Sequence, residues 1–458
     1  MATQTSSLVK SDRQQCYSDR LCSPRLTRRD FLKLAALGMV VGAAKCVPLP
    51  TIPATTVVPV ILPLRQPAPL GALSDATVAA VESEMLGVMG QYNIPGLALA
   101  VMKEGCLALT RHYGVAKRGT DRLITPQSIF AWGGIAETVV ATGIMRLRSQ
   151  GKVNLDAPVT QYLPYFKLDD KRYTDITLRH LLSCTSGLPE CVGEDLECRV
   201  QAGSDDTLEQ QVRRLATRRL ACAPGEKFAL NQVGFEVLGD VIAKVSGQAF
   251  EDYMREQVFV PLGLRHTTFS LCEVDPQLMV APHVLRTGDT TEPILADSRA
   301  HAPSSGLFST LEDMARYALM HLKHGSLNGV QILRAGAYDE MWKDQATTPW
   351  AHIPAGKSEH RSRCLGWYSY LDRGGNRVVF SIGEHYAGFF TYLELVPEKG
   401  AAVVFAVNRY GDLMDYYGDL EPSVSRVMDL VLGNPSQPAP SNTLPARQQA
   451  KLPGAKVS

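Results

Sequence analysis

Apolar and polar residues repeat along this chain with two periods, and the alternation between them outlines an architecture. From Ser74 to Gln91, Val78, Val81, Met85 and Met89 recur at helical spacing, with Ser74 placed to cap the helix. Gly96 to Met102 and Cys106 to Tyr113 are apolar runs joined by Lys103-Glu104-Gly105, a hairpin signal. Helical spacing returns from Glu137 to Gln150, where Gly151 stops it, and again over 206–219, 233–246, 248–258, 310–323 and 420–432. Strands are expected near 364–371, 377–383, 388–395 and 401–407. Strands at both ends around a helical middle predict an α/β (α+β) fold. The sheet is antiparallel, closed by N- and C-terminal segments, flanked by helices and interrupted by an inserted helical subdomain.

Composition changes this picture only at the ends. The stretch 47–72 carries Pro48, Pro50, Pro53, Pro59, Pro63, Pro67 and Pro69 and reads as an extended linker. The tail 435–458 has little to bury and is expected to be disordered, which leaves 73–434 as the folded region. Residues 1–46 contain Thr27-Arg28-Arg29-Asp30-Phe31-Leu32-Lys33 before the apolar run Leu34 to Ala44, which resembles a bacterial twin-arginine signal. That run falls short of the roughly 20 residues needed to cross a bilayer, so an exported periplasmic or extracellular protein is expected. Lys45 before Cys46 argues against a lipoprotein anchor. With 47 basic and 46 acidic residues the net charge is +1, which gives no support to a nucleic-acid or anionic-membrane partner.

Ten cysteines are present. Cys16, Cys22 and Cys46 lie in or beside the signal, leaving an odd set of Cys106, Cys184, Cys191, Cys198, Cys222, Cys272 and Cys364. Cys191 and Cys198 are close enough in sequence for a loop-closing disulfide, and isolated thiols fit the spacing equally well. No Cys/His grouping has zinc-ligand spacing, and neither a metal nor a cofactor is expected.

Two long stretches carry a resemblance. One is Gly151-Lys152-Val153-Asn154-Leu155-Asp156-Ala157-Pro158-Val159 with Tyr162-Leu163-Pro164. The other is Ile176-Thr177-Leu178-Arg179-His180-Leu181-Leu182-Ser183-Cys184-Thr185-Ser186-Gly187-Leu188-Pro189. Together with Pro224-Gly225-Glu226-Lys227-Phe228, Pro261-Leu262-Gly263-Leu264 and Ser305-Gly306-Leu307-Phe308-Ser309-Thr310, they are similar to the serine β-lactamase and penicillin-binding-protein family. That family includes class C β-lactamases, D-Ala-D-Ala peptidases and esterases. The resemblance covers about 75–434 and implies the family's fold, while the substrate must be argued from the site.

The resemblance also places a catalytic constellation, and here the chain departs from it. Family members carry Ser-x-x-Lys at the start of a buried helix, so that the lysine can take the serine proton. A Tyr-x-Asn loop and a [Lys/His]-x-Gly edge-strand motif complete the site. In this chain the serine position holds Gly134 and the lysine position Glu137, within Trp132-Gly133-Gly134-Ile135-Ala136-Glu137. Counting from Pro224-Gly225 puts Leu230 and Gln232 at the tyrosine and asparagine positions. Ser381-Ile382-Gly383 stands at the edge strand and keeps only the glycine.

Glycine offers no nucleophile, so the expectation is a non-catalytic protein that holds a small-molecule or cell-wall ligand, or a protein partner. Its candidate pocket is Trp132, Gly134, Glu137, Leu230, Gln232, Ser381, Gly383, Glu384 and His385. The rival expectation is an active hydrolase in which Glu137 acts as a general base on water with His385 as partner. Replacing lysine by glutamate also changes the local charge by two units, each worth a few kcal/mol on a charged ligand about 6 Å away. That predicts a pocket for a neutral or cationic ligand.

Overall fold

The most apolar strands of this chain lie at the centre of a sheet covered on both faces, which is why they read as unbroken hydrophobic runs rather than as alternations. The computed structural model describes residues 72–189, 207–286, 289–291, 299–348, 361–385, 388–410 and 420–434. The expected export segment, linker, tail and the Cys191–Cys198 loop lie outside these residues.

The principal helices are α1 (Asp75–Gln91), α2 (Ala136–Ser149), α3 (Val233–Ser246), α4 (Leu311–Leu322) and α5 (Leu420–Leu432). The main sheet is built from β1 (Gly96–Lys103), β2 (Cys106–Gly114), β3 (Ala346–Thr348), β4 (Arg361–Arg363), β5 (Tyr368–Leu371), β6 (Arg377–His385), β7 (Phe389–Val396) and β8 (Ala401–Val407). Its order is β2-β1-β8-β7-β6-β5-β4-β3, and every pairing is antiparallel. N- and C-terminal strands therefore meet at the β1–β8 seam, where Leu97 pairs with Val407 and Met102 with Ala402.

Each central strand divides its side chains between two cores. Leu97, Leu99, Val101, Val403 and Phe405 face an outer core with Val81, Met85 and Val88 of α1 and Val424, Val427 and Val431 of α5. Ala98, Ala100, Ala402 and Ala406 face the inner core, and these small side chains let α4 approach the sheet closely. On the same inner side, α2 and α3 belong to the helical insertion between the hairpin and the late strands.

Most elements form where the pattern placed them. The Ser74 hydroxyl caps α1 by accepting from the Thr77 N–H, and α3 and α5 keep the expected limits almost to the residue. Three expectations need correction. The buried face of α1 is Val81, Met85 and Val88, with Val78 and Met89 only half-buried. The helix expected at 248–258 is broken into α, π and α turns ending at Leu262. The strand expected at 364–371 is interrupted: β4 ends at Arg363 and β5 starts at Tyr368, with Gly366 between them in a left-handed conformation (φ +78°).

Candidate functional site

Gly133–Ile135 forms a single tight turn that feeds directly into α2. This turn lies under β6, and two glycines make the approach possible. A Cβ on Gly383 would stand 1.9 Å from the Trp132 carbonyl oxygen and 2.1 Å from Thr391 Oγ1. A Cβ on Gly134 would stand 2.7 Å from the Ile382 carbonyl oxygen and 4.0 Å from the Gly383 Cα. The expected nucleophile position and the expected edge-strand glycine are thus brought face to face, although they are far apart in sequence. Thr391 on β7 fastens the seam: its hydroxyl donates to the Trp132 carbonyl at 3.0 Å and has the Gly383 carbonyl at 3.1 Å. The Trp132 indole is fully buried and donates to the Ser309 carbonyl at 3.0 Å.

Glu137 projects from the first turn of α2 into the protein, 5% exposed. There it meets Arg363, which arrives from β4 with no exposure at all, at 2.5 Å. The guanidinium also lies 4.4 Å from the ring centre of Tyr368 and 5.5 Å from that of Phe235 on α3. Burial pushes the Glu137 carboxyl above the ordinary carboxylate range, and Arg363 opposes that rise without cancelling it. Burial is the largest influence on the arginine and opposes its charge, yet the pairing with Glu137 helps hold it protonated above its ordinary value. Among the described residues Arg363 Nε and Nη1 have no hydrogen-bond partner.

Cys184 sits beside this pair in a left-handed backbone conformation (φ +54°) and is buried. Burial is the largest influence on its thiol and pushes it up to about 11, so it stays protonated at neutral pH. Its carbonyl accepts from Ala229 N–H at 2.9 Å, which draws the 229–232 loop towards the ion pair. On that loop Leu230 is half-buried against the inner core, and Gln232 precedes α3 without a side-chain capping bond. The polar anchor of the loop is the residue between them. Asn231, 4% exposed, donates to the Pro189 carbonyl and accepts from Gly234 N–H at 3.0 Å.

The structure therefore assembles Trp132, Gly134 and Gly383 in one seam, with Ser381 buried on the same strand. Glu137 lies one turn further along, in a pairing the sequence did not suggest. Glu384 and His385 close β6 opposite Phe390 and Phe389; their side chains lie outside the described residues. Sequence reasoning missed Arg363 and Asn231 as members of this neighbourhood; Cys184, which stands where the family usually has a histidine, is weighed there only as a weak alternative nucleophile. One signal was available for the first: a buried glutamate in place of lysine requires a cation, and Arg361-Ser362-Arg363 is a basic run just before an apolar segment. The charge of Glu137, expected to repel anionic ligands, is paired with that of Arg363 at contact distance.

Comparison with known proteins agrees with this fold. Residues 78–421 match the family model described as Beta-lactamase. The chain is 30% identical to Penicillin-binding protein 4 of Amycolatopsis lactamdurans, over 78% of this chain and 92% of that one. It is 27% identical to the D-alanyl-D-alanine-carboxypeptidase/endopeptidase AmpH of Escherichia coli K12, over 74% and 86%. It is also 30% identical to Esterase EstB of Burkholderia gladioli over a shorter stretch, 41% of this chain and 50% of that one. Among solved structures, the octameric penicillin-binding protein homologue from Pyrococcus abyssi superposes with a TM-score of 0.64 at 24% identity, covering 78% of each chain, a likeness of fold. This chain belongs to the Beta-lactamase family.

Proposed function

We propose that this chain is a non-catalytic member of its family, exported by the twin-arginine route, that uses the family scaffold to hold a cell-wall or other small-molecule ligand or a protein partner. The observation that carries the reading is the pairing of Glu137 with Arg363. A carboxylate whose position corresponds to the family lysine, held against a guanidinium in a buried site, is not placed to take a proton from a nucleophile. Gly134 supplies no nucleophile, and Leu230 at the tyrosine position supplies no hydroxyl. Loss of one member of such a constellation already removes most of the rate, on the order of 10⁶ in subtilisin.

The same observation weighs against the rival hydrolase, which requires Glu137 as a free base. The relatives' names point to penicillins and D-alanyl-D-alanine peptides as the first ligands to try. Among the described residues no helix is long and apolar enough to cross a membrane, which is compatible with export into an aqueous compartment.

The test is hydrolysis of a p-nitrophenyl ester and a chromogenic cephalosporin by the purified mature protein, beside Glu137→Ala. No turnover above the buffer blank is expected from either protein. Turnover by the wild type that vanishes in Glu137→Ala would overturn the reading and make Glu137 a working base.

A further inference from the structure

A buried lysine in the ancestral position and a buried arginine at 363 are electrostatically incompatible. Position 137 faces inward from the first turn of α2, and the space it enters is walled by Phe235 of α3, Tyr368 of β5 and the Cys184 thiol. Arg363 fills that space with a fixed positive charge that it cannot shed at any physiological pH. Two cations there would repel in an apolar surround that offers neither of them a counter-charge. Glutamate at 137 turns the repulsion into a bond.

We propose that Glu137 and Arg363 form a charge-reciprocal strut between α2 and β4, so that the sign of the charge at 137 can be reversed only if the sign at 363 is reversed with it. The proposal rests on the reading that 137 is the family lysine position, and it assigns Arg363 a role in that change. One guanidinium then ties four elements together: α2 through Glu137, β4 through its own backbone, β5 through Tyr368 and α3 through Phe235. The remnant of the site has become a joint between the sheet and the helical insertion. Restoring serine at 134 and lysine at 137 would meet Arg363 before it met any substrate.

The experiment is a charge-swap cycle on the full chain, read as Tm by scanning calorimetry for Glu137→Lys, Arg363→Glu and the double swap. Each single reversal is expected to lower Tm by at least about 5 °C, the scale set by breaking a buried pair in a domain of this size. The double swap is expected to regain more than half of the summed loss. Singles indistinguishable from wild type, or a double swap as unstable as the sum of its parts, would overturn the proposal.

If the reversed singles do not fold, the neutral cycle of Glu137→Gln, Arg363→Met and their combination decides the same question. Recovery in the combination supports the strut, and additive losses refute it. These readouts are independent of turnover, so a catalytically active wild type would sink the functional reading and leave this cycle to be judged separately.

Discussion

Arg361 and Arg363 leave the same short strand two residues apart, both buried and both ion-paired, yet they occupy opposite kinds of surroundings. Arg361 pairs with Glu421 of α5 across the outer core. Around it lies a hydroxyl and carboxylate network: Tyr392 Oη donates to Glu394 at 2.9 Å, and Tyr370 Oη reaches the other oxygen of Glu394 at 3.4 Å. Arg363 has one carboxylate, two ring faces and a neutral thiol.

The first pair is a polar anchor for the C-terminal helix, stabilised by many partners. The second has a single carboxylate partner among rings and a thiol, and its value depends on the match of two charges. A buried pair is weak evidence for stability in itself, but breaking one leaves a buried charge behind, and that is where the two sites should diverge.

The largest effect is expected from Glu421→Leu, which removes the carboxylate paired with the buried Arg361 guanidinium. A loss of about 3–5 kcal/mol in urea denaturation, nearly the same at pH 5 and pH 8, is predicted because arginine cannot lose its proton. Arg363→Met strands a carboxylate instead, which can neutralise. Burial already raises this carboxyl above 4.5 in the wild type, and Arg363 is what opposes the rise. Without Arg363 the folded-state value goes higher still, and the stability of the protonated form is lost over a wider range as pH rises above the unfolded value. Arg363→Met should therefore lie closest to wild type near pH 4.5 and lose ground as pH rises, at up to about 1.4 kcal/mol per pH unit. Equal pH dependence in the two variants would erase the distinction drawn here.

A third buried group sharpens the comparison because among the described residues it has no counter-ion. His321 on α4 is fully buried among Tyr317, Tyr338, Trp342 and Trp367, with its Nδ1 3.0 Å from the Tyr338 hydroxyl. Burial pushes its pKa down from 6.5 to about 3. The unfolded chain then binds the extra proton first, so this stability is complete above pH 6.5 and is lost as pH falls towards 3. About 2 kcal/mol should disappear between pH 6.5 and pH 5, and His321→Phe should flatten that slope in urea titrations at the two pH values.

The smallest effect concerns the glycine seam. Gly134→Ala places a side-chain methyl 2.7 Å from the backbone carbonyl oxygen of Ile382 and should cost about 1 kcal/mol of unfolding free energy. No loss in a thermal melt would mean that β6 shifts freely over the turn.

How much of this was legible beforehand varies with the range of the interaction. The Ser74 cap, the limits of α3 and the β1–β2 hairpin follow from neighbours in sequence, and they could be read directly. The break at Gly366 could not, because it arises where an added Cβ would stand 2.5 Å from Ala141 on α2. The loop 229–232 shows the same limit at the site. Counting placed the polar residue at Gln232, whereas the buried anchor is Asn231, chosen by its access to the Pro189 carbonyl.

By itself the sequence determined the family, the antiparallel sheet with its helical insertion, and the absence of a serine and a lysine at the expected helix start. Those are matters of residue identity and short-range periodicity, which need no coordinates. Only the tertiary structure decided what replaced them. Glu137 and Arg363 are 226 residues apart, and nothing in either local segment says that the two side chains share one buried space. Folding brings them together because β4 and the first turn of α2 send these two side chains into one buried space. A charge removed from water must then find its opposite within reach, or the fold bears the cost of desolvating it alone.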